Sequence, residues 1–272
     1  MTLARETPHK LVVSPKITWE PLPPGFQLDE EPVDNIDQTL LAGALSESLE
    51  LAGYLKPTML VGADLGICAT IDEQLNIKAP DWFYASPVQE WTATACRKSY
   101  TPHLEGAVPS IVIEFLSDKD GSEYSVKRSY PPGKWYYYEQ ILKIPTYAIF
   151  EPDGGLLEVY RLPENGRYEL EQPNEEGKHW IAEMGLFLGT WRGEKEGRTV
   201  YWLRWWDEAG NLLLWGVELL QQERQRADAE SLRAEEERQR ADAESLRAEE
   251  ERQRAEKLAA YLRQQGINPD DL

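Results

Sequence analysis

Two carboxylates in the first half of the chain are set in contexts that suit metal-assisted phosphodiester chemistry. Asp81 follows Pro80 at the head of the run DWFYA, and Glu114 lies inside the run IVIEFL. Hydrolysing a phosphodiester near neutral pH calls for a hard divalent cation. Mg²⁺ takes oxygen ligands and keeps several waters, polarises the phosphate and lowers the pKa of an attacking water. Two or three carboxylates must converge on that cation, and a positively charged group is needed to steady the water or the developing charge. Neighbouring strands of one sheet can bring an aspartate at one strand's start beside a glutamate along the next. A carboxylate in a run as apolar as IVIEFL is costly to bury unless it is paired or bound to a metal. Glu114 is therefore the most informative residue in the chain. The competing reading is a glutamate that pairs with Lys or Arg, or that lies at a strand end.

The elements around these residues can be read from periodicity. Residues 34–54 carry apolar side chains at Ile36, Leu40, Leu41, Ala44, Leu45, Leu49 and Ala52, a helical spacing with Asp34 as its N-cap. TMLVGADLGICATI reads as one or two strands, APDWFYAS as the next, and PSIVIEFL as a buried strand. Residues 123–141 hold Lys127 and KWYYYEQIL, interrupted by Pro131-Pro132-Gly133, and read as two helical pieces. PTYAIFE follows as a buried strand, and PDGGLLEVYRL as a turn into another. The expected fold class is α/β (α+β), in the order helix, strand, strand, strand, helix, strand.

Four further regions complete the chain. Residues 1–33 read as an extended, proline-rich arm, and the main domain as 34–217. Its stretch 179–217 is dense in Trp and Tyr. Aromatic-rich hairpins covering a sheet are the plainer reading there, and a stacking surface using Trp202 and Trp205 the sharper one. Residues 218–265 hold ERQRADAESLRAEE at 223–236, repeated identically at 237–250. The 14-residue period is two heptads, with alanines at 227, 234, 241, 248 and 255 but only Leu232 and Leu246 as large apolar groups. This predicts a long charged helix or thin coiled coil, about 60 Å over forty residues, with ion pairs such as Glu236–Arg240, Arg233–Glu237 and Glu250–Arg254. Residues 266–272 form an acidic tail.

Composition narrows the function classes. No run approaches the 18 or so apolar residues of a membrane span, and the N-terminus lacks the apolar core of a signal peptide. Cys68 and Cys96 stand far apart and form neither a metal pair nor a disulfide framework, so a reduced cytoplasm is expected. His9, His103 and His179 are scattered and no GxSxG occurs, which leaves Ser/His/Asp chemistry without support. The net charge is −19. Of the 48 acidic and 29 basic residues, 15 and 10 lie in 218–272, leaving 33 and 19 in the body, a net of −14. An acidic body opposes nonspecific attachment to a polyanion, although carboxylates belong in a metal site.

Taken together, KAPDWFYA, PSIVIEFLS, the acidic loop with SVKRSY, the aromatic helix and PTYAIFEPDGGLLEVYRL resemble the bacterial restriction-endonuclease domain family of the PD-(D/E)XK nuclease superfamily, over roughly residues 16–215. The resemblance implies a restriction-endonuclease-like core with a central mixed sheet flanked by helices, extra β-hairpins and a long C-terminal helix. It implies metal-dependent cleavage of DNA, with Mg²⁺ or Mn²⁺ held by Asp81, Glu114 and the backbone carbonyl of Phe115. The family pattern places a lysine two positions after the glutamate, where this chain has Leu116. Lys127, with Glu123 one helical turn before it, is the expected substitute. Asp37 or Glu47 of the first helix would complete the site, and the C-terminal helix would make a homodimer. The alternative is a catalytically weak or inactive nuclease-like scaffold that binds other proteins through that helix.

Overall fold

The computed structural model describes residues 36–71, 74–92, 96–116 and 122–266. The proline-rich arm, Asp34 and the acidic tail beyond Gly266 lie outside the described residues. Helix α1 (Ile36–Leu51) buries Leu41, Ala42, Ala44, Leu45 and Leu49. It is followed by β1 (Leu60–Gly62), β2 (Gly66–Ile71), β3 (Gln74–Lys78), β4 (Trp82–Ala85), β5 (Ser99–Tyr100) and β6 (Ile111–Phe115). A 3-10 turn at Ser122–Tyr124 precedes α2 (Lys134–Tyr136), which runs on as a π-helix over Tyr137–Leu142. Then come β7 (Thr146–Glu151), β8 (Leu156–Arg161), β9 (Glu169–Glu171), β10 (Lys178–Ile181), β11 (Leu186–Lys195), β12 (Arg198–Trp206) and the long helix α3 (Gly216–Gln264).

The central sheet has the order β1-β4-β6-β7-β8-β9. Only β6 and β7 run parallel; the other pairs are antiparallel, so the sheet is mixed. Its middle strands are covered on both faces, which is why IVIEF and TYAIF read as continuous apolar runs. Alternation sorts their side chains. Trp82, Tyr84, Ile111, Ile113, Phe115, Ala148 and Phe150 face one core with α1 and the antiparallel sheet β10-β11-β12. Phe83, Ala85, Val112, Tyr147 and Ile149 face a second core with Tyr137, Tyr138 and Leu142 of the helical segment. Glu114 occupies the same alternate position as Val112, on the side of α2. This α+β arrangement, with its mixed sheet and long terminal helix, is restriction-endonuclease-like.

The plainer reading of the Trp-rich stretch holds. Trp202, Trp205 and Trp215 are almost wholly buried, and Trp82 packs on Trp205 with ring centroids 5.6 Å apart. A stacking surface built on Trp202 and Trp205 is excluded, because neither ring reaches the surface.

The base of α3 is fastened to the body. The Trp215 indole donates to the Ala44 carbonyl (3.0 Å), and the Gly216 N–H to Glu47 Oε1 (2.9 Å). Lys195 Nζ meets Glu47 Oε2 at 2.6 Å, and Arg204 forms a fork with Glu218 at 3.0 and 2.7 Å. From Glu223 to Leu258 every side chain is exposed. Among the described residues the ion pairs on the helix are Glu223–Arg226, Glu249–Arg252 and Glu256–Arg252, rather than the three expected from spacing. No described helix is long and apolar enough to cross a membrane.

Candidate active site

The two strands carrying the carboxylates are antiparallel neighbours, and Trp82 of β4 lies opposite Ile113 of β6. One step further along that register, Asp81 meets Glu114. The Phe115 N–H donates to Asp81 Oδ2 (2.5 Å), which pins the aspartate to the end of β6. Glu114 is 0% exposed. Its Oε2 accepts from Lys134 Nζ (2.9 Å) and its Oε1 from the Tyr138 hydroxyl (2.8 Å). Lys134 and Tyr138 are four residues apart, so one helical face aims both at the same carboxylate.

The helix is held there by its aromatic residues. The Trp135 ring packs edge-on to Tyr147, Tyr160 and Tyr168, with centroids 4.7 to 5.7 Å apart. Gly133 opens the helix in an extended conformation, and a Cβ there would lie 2.2 Å from the Ser125 carbonyl oxygen. Only glycine lets the two backbones approach so closely.

Glu123, buried in the 3-10 turn, is the third acid. Its Oε1 accepts from Ser122 (3.0 Å) and lies 3.9 Å from Lys134 Nζ, while Oε2 is buried without a hydrogen-bond partner among the described residues. Electrostatics follow from this crowding. Burial and the charge of Glu114 push the Asp81 carboxyl up to about 8, against the Phe115 hydrogen bond and Lys134. Burial pushes Glu114 up as well, opposed by Lys134 and Tyr138. For Lys134, burial favours the neutral amine, but Glu114, Asp81 and Glu123 outweigh it and keep the ammonium charged. The site therefore crowds three acids around one lysine, which favours the protonated form of Asp81.

Asp81 and Glu114 come together as their spacing suggests. Lys127 does not join them. It is exposed in the non-helical stretch between the 3-10 turn and α2, and the lysine on Glu114 is Lys134. The stretch before Pro131-Pro132 stays non-helical because a residue preceding proline is pushed out of the α region. Glu47 is spent on Lys195 and the start of α3, away from this site. Asp37 lies in the first turn of α1, and its side chain is outside the described residues. The Phe115 carbonyl faces the Gln38 amide at 3.4 Å. Lys134 and Tyr138 were missed by sequence reasoning, and Glu123 was named only as the neighbour of Lys127. The signal for the first two was the four-residue spacing after Gly133 in GKWYYY.

A family model described as "Uma2: Putative restriction endonuclease" matches residues 27–193. The chain belongs to the Uma2 family. The Uma2 match runs from before α1 into β11 and includes Asp81, Glu114, Glu123, Lys134 and Tyr138, so these residues lie inside a nuclease-like domain. It ends before β12 and the long helix. No curated protein matches the chain.

The donor set fits a hard divalent cation. Asp81 and Glu114 offer carboxylate oxygens, the site carries surplus acid, and Glu123 adds a buried oxygen without a hydrogen-bond partner among the described residues. Among the described residues no group of three or more His, Cys, Asp or Glu is arranged to hold a metal. Two carboxylates with waters and substrate oxygens suffice for Mg²⁺.

Proposed function

We propose that this chain is a metal-dependent endonuclease that hydrolyses phosphodiester bonds in DNA, acting in the cytoplasm. The observation that carries the reading is the wholly buried Glu114 carboxylate, set beside Asp81 and met by Lys134. Asp81 and Glu114, with the Phe115 carbonyl, would hold Mg²⁺ or Mn²⁺. That ion supplies polarisation of the phosphate and a more acidic attacking water. Tyr138 fixes the orientation of Glu114 through Oε1. Lys134, kept charged by its acidic neighbours, presents a cation where negative charge grows on the phosphate. The catalytic lysine in this reading is Lys134, in the role that the family resemblance gave to Lys127.

The test is cleavage of duplex DNA by the full chain with Mg²⁺ or Mn²⁺, comparing wild type with Asp81→Ala, Glu114→Ala and Lys134→Ala. Metal-dependent cutting by wild type and a loss of at least about 100-fold in each variant supports the reading, one preorganised charged contact being worth about that much. A wild type that cuts nothing, or variants that cut equally well, sinks it.

A second reading is favoured by α3, which extends from the body with no buried residue. In that reading the domain is a catalytically inactive scaffold and the helix is its working part. Mn²⁺ binding separates the two, because a scaffold need not bind the ion at Asp81 and Glu114. In the nuclease reading the repeat helix pairs two copies of the chain; in the scaffold reading it binds other proteins.

A further inference from the structure

Two lysines beside the candidate site form no ion pair among the described residues. Lys78 ends β3, three residues before Asp81, and is half-buried; Lys127 is exposed in the stretch leading to α2. Backbone contacts bring both to the helix that carries Lys134. The Gly133 N–H donates to the Lys127 carbonyl (2.9 Å), fastening Lys127 against the residue that precedes Lys134. The Tyr137 hydroxyl reaches the carbonyls of Ile67 (3.0 Å) and Asn76 (3.1 Å), and Ile67 is the partner of Lys78 across β2 and β3. The end of β3 is thereby stitched to the same helical segment. Burial lowers the Lys78 pKa, and the like charges of Lys134 and Lys127 lower it further, with Glu114 opposing them. The charges of Lys134 and Lys127 thus both bear on Lys78. Of the three, Lys134 alone has carboxylates within ion-pair distance among the described residues.

Like charges crowded at a half-buried position are unfavourable on their own. An anion seated among them reverses that cost. The body's net of −14 means that a polyanion cannot be held by the general surface and must be gripped where lysines collect. We propose that Lys78 and Lys127 form a phosphate-binding lip, which holds the backbone of a DNA strand beside the Asp81–Glu114 carboxylates. The inference rests on the nuclease reading and gives Lys127 a role in holding substrate. Lys78 and Lys127 both precede Lys134 in the chain, on separate segments that are tied to its helix, so the lip borders the site and does not replace its cation.

The experiment is equilibrium binding of a short fluorescent DNA duplex to the full chain in EDTA, across a range of salt, with metal-dependent cleavage of the same duplex in parallel. Lys78→Gln and Lys127→Gln are each expected to weaken binding several-fold and to reduce the slope of log Kd against log salt by about 1, the signature of one lost phosphate contact. Lys78→Arg restores the slope, because it keeps the charge. Lys56→Gln, at an exposed site on the loop after α1, leaves binding unchanged. Thermal unfolding of each variant separates a lost contact from a lost fold. Slopes that stay at the wild-type value in both glutamine variants overturn the lip, as does an equal fall in Lys56→Gln. If wild type cuts the duplex while those variants bind normally, the lip alone fails. If wild type neither binds nor cuts, the nuclease reading fails with it.

Discussion

A carboxylate with no exposure to water needs its partners in place as the chain folds around it. Glu114 has two, Lys134 and Tyr138, and losing the lysine leaves a buried charge uncompensated. Lys134→Ala is expected to lower unfolding free energy by about 3 kcal/mol, the low end for breaking a buried pair because Lys134 is partly exposed. Lys127→Ala should stay within about 0.5 kcal/mol, as exposed substitutions do; urea unfolding of both variants checks the contrast. Asp81 gives a pH signature. Its folded-state pKa, about 8, stands above the ordinary 3.8. The folded protein thus holds the proton more tightly, so this group's contribution is full below about pH 4 and is lost as pH rises through 8. Asp81→Asn removes that loss and leaves an acceptor for the Phe115 N–H. Its melting temperature should match wild type near pH 4 and exceed it at pH 8. Glu114 was legible because charge inside an apolar run is conspicuous. Lys134 was not, because its partner lies twenty residues away and only the fold of α2 brings them together.

At the scale of elements, the strands were the most legible part. DWFYA, IVIEFL and PTYAIFE became β4, β6 and β7, since chain buried on both faces must be apolar throughout. The register that sets Asp81 against Glu114 was not legible, because pairing between distant strands leaves no local trace. The stretch around Lys127 illustrates the same limit. Its charges suit a helix, yet the prolines after it decide otherwise and the helix starts at Gly133. That glycine should be irreplaceable. Gly133→Ala forces a Cβ into the Ser125 carbonyl and moves the start of α2, carrying Lys134 off Glu114. Cleavage should fall together with stability, whereas Gly43→Ala, where a Cβ meets nothing, leaves cleavage unchanged. Glu47 belongs to this scale too. Burial opposes its ionisation, but Lys195 and the Gly216 N–H prevail and hold the carboxyl below its usual range. Its stabilising contribution is present above the ordinary pKa of 4.5 and disappears as pH falls through the lowered value. Glu47→Gln should therefore cost about 1 kcal/mol at pH 7 and less near pH 3, measured by denaturant unfolding at both.

At the scale of the whole molecule, the body and the repeat helix divide the work of stability unequally. The first turn of α3 is tied down by Trp215, Glu47 and Arg204, but from Glu223 onward the repeats bury nothing against the body. Spacing made the helix legible from its 14-residue period, and its isolation follows from the same residues: alanine and an occasional leucine give too thin a stripe to pack onto a sheet. A solvated helix of some forty residues gains little from exposed ion pairs, about 0.2–0.5 kcal/mol each. A chain ending at Gln222 should then unfold with the same midpoint and the same denaturant slope as the full chain, since the slope follows the surface exposed on unfolding, while losing helical circular dichroism. Pairing of two copies through the repeats gives a second readout. The full chain is expected to sediment as a dimer and the shortened chain as a monomer, and only the full chain's helical signal should melt at a temperature that rises with protein concentration. A full chain that sediments as a monomer at every concentration would leave the helix as a solitary rod and remove the pairing of copies from the proposal.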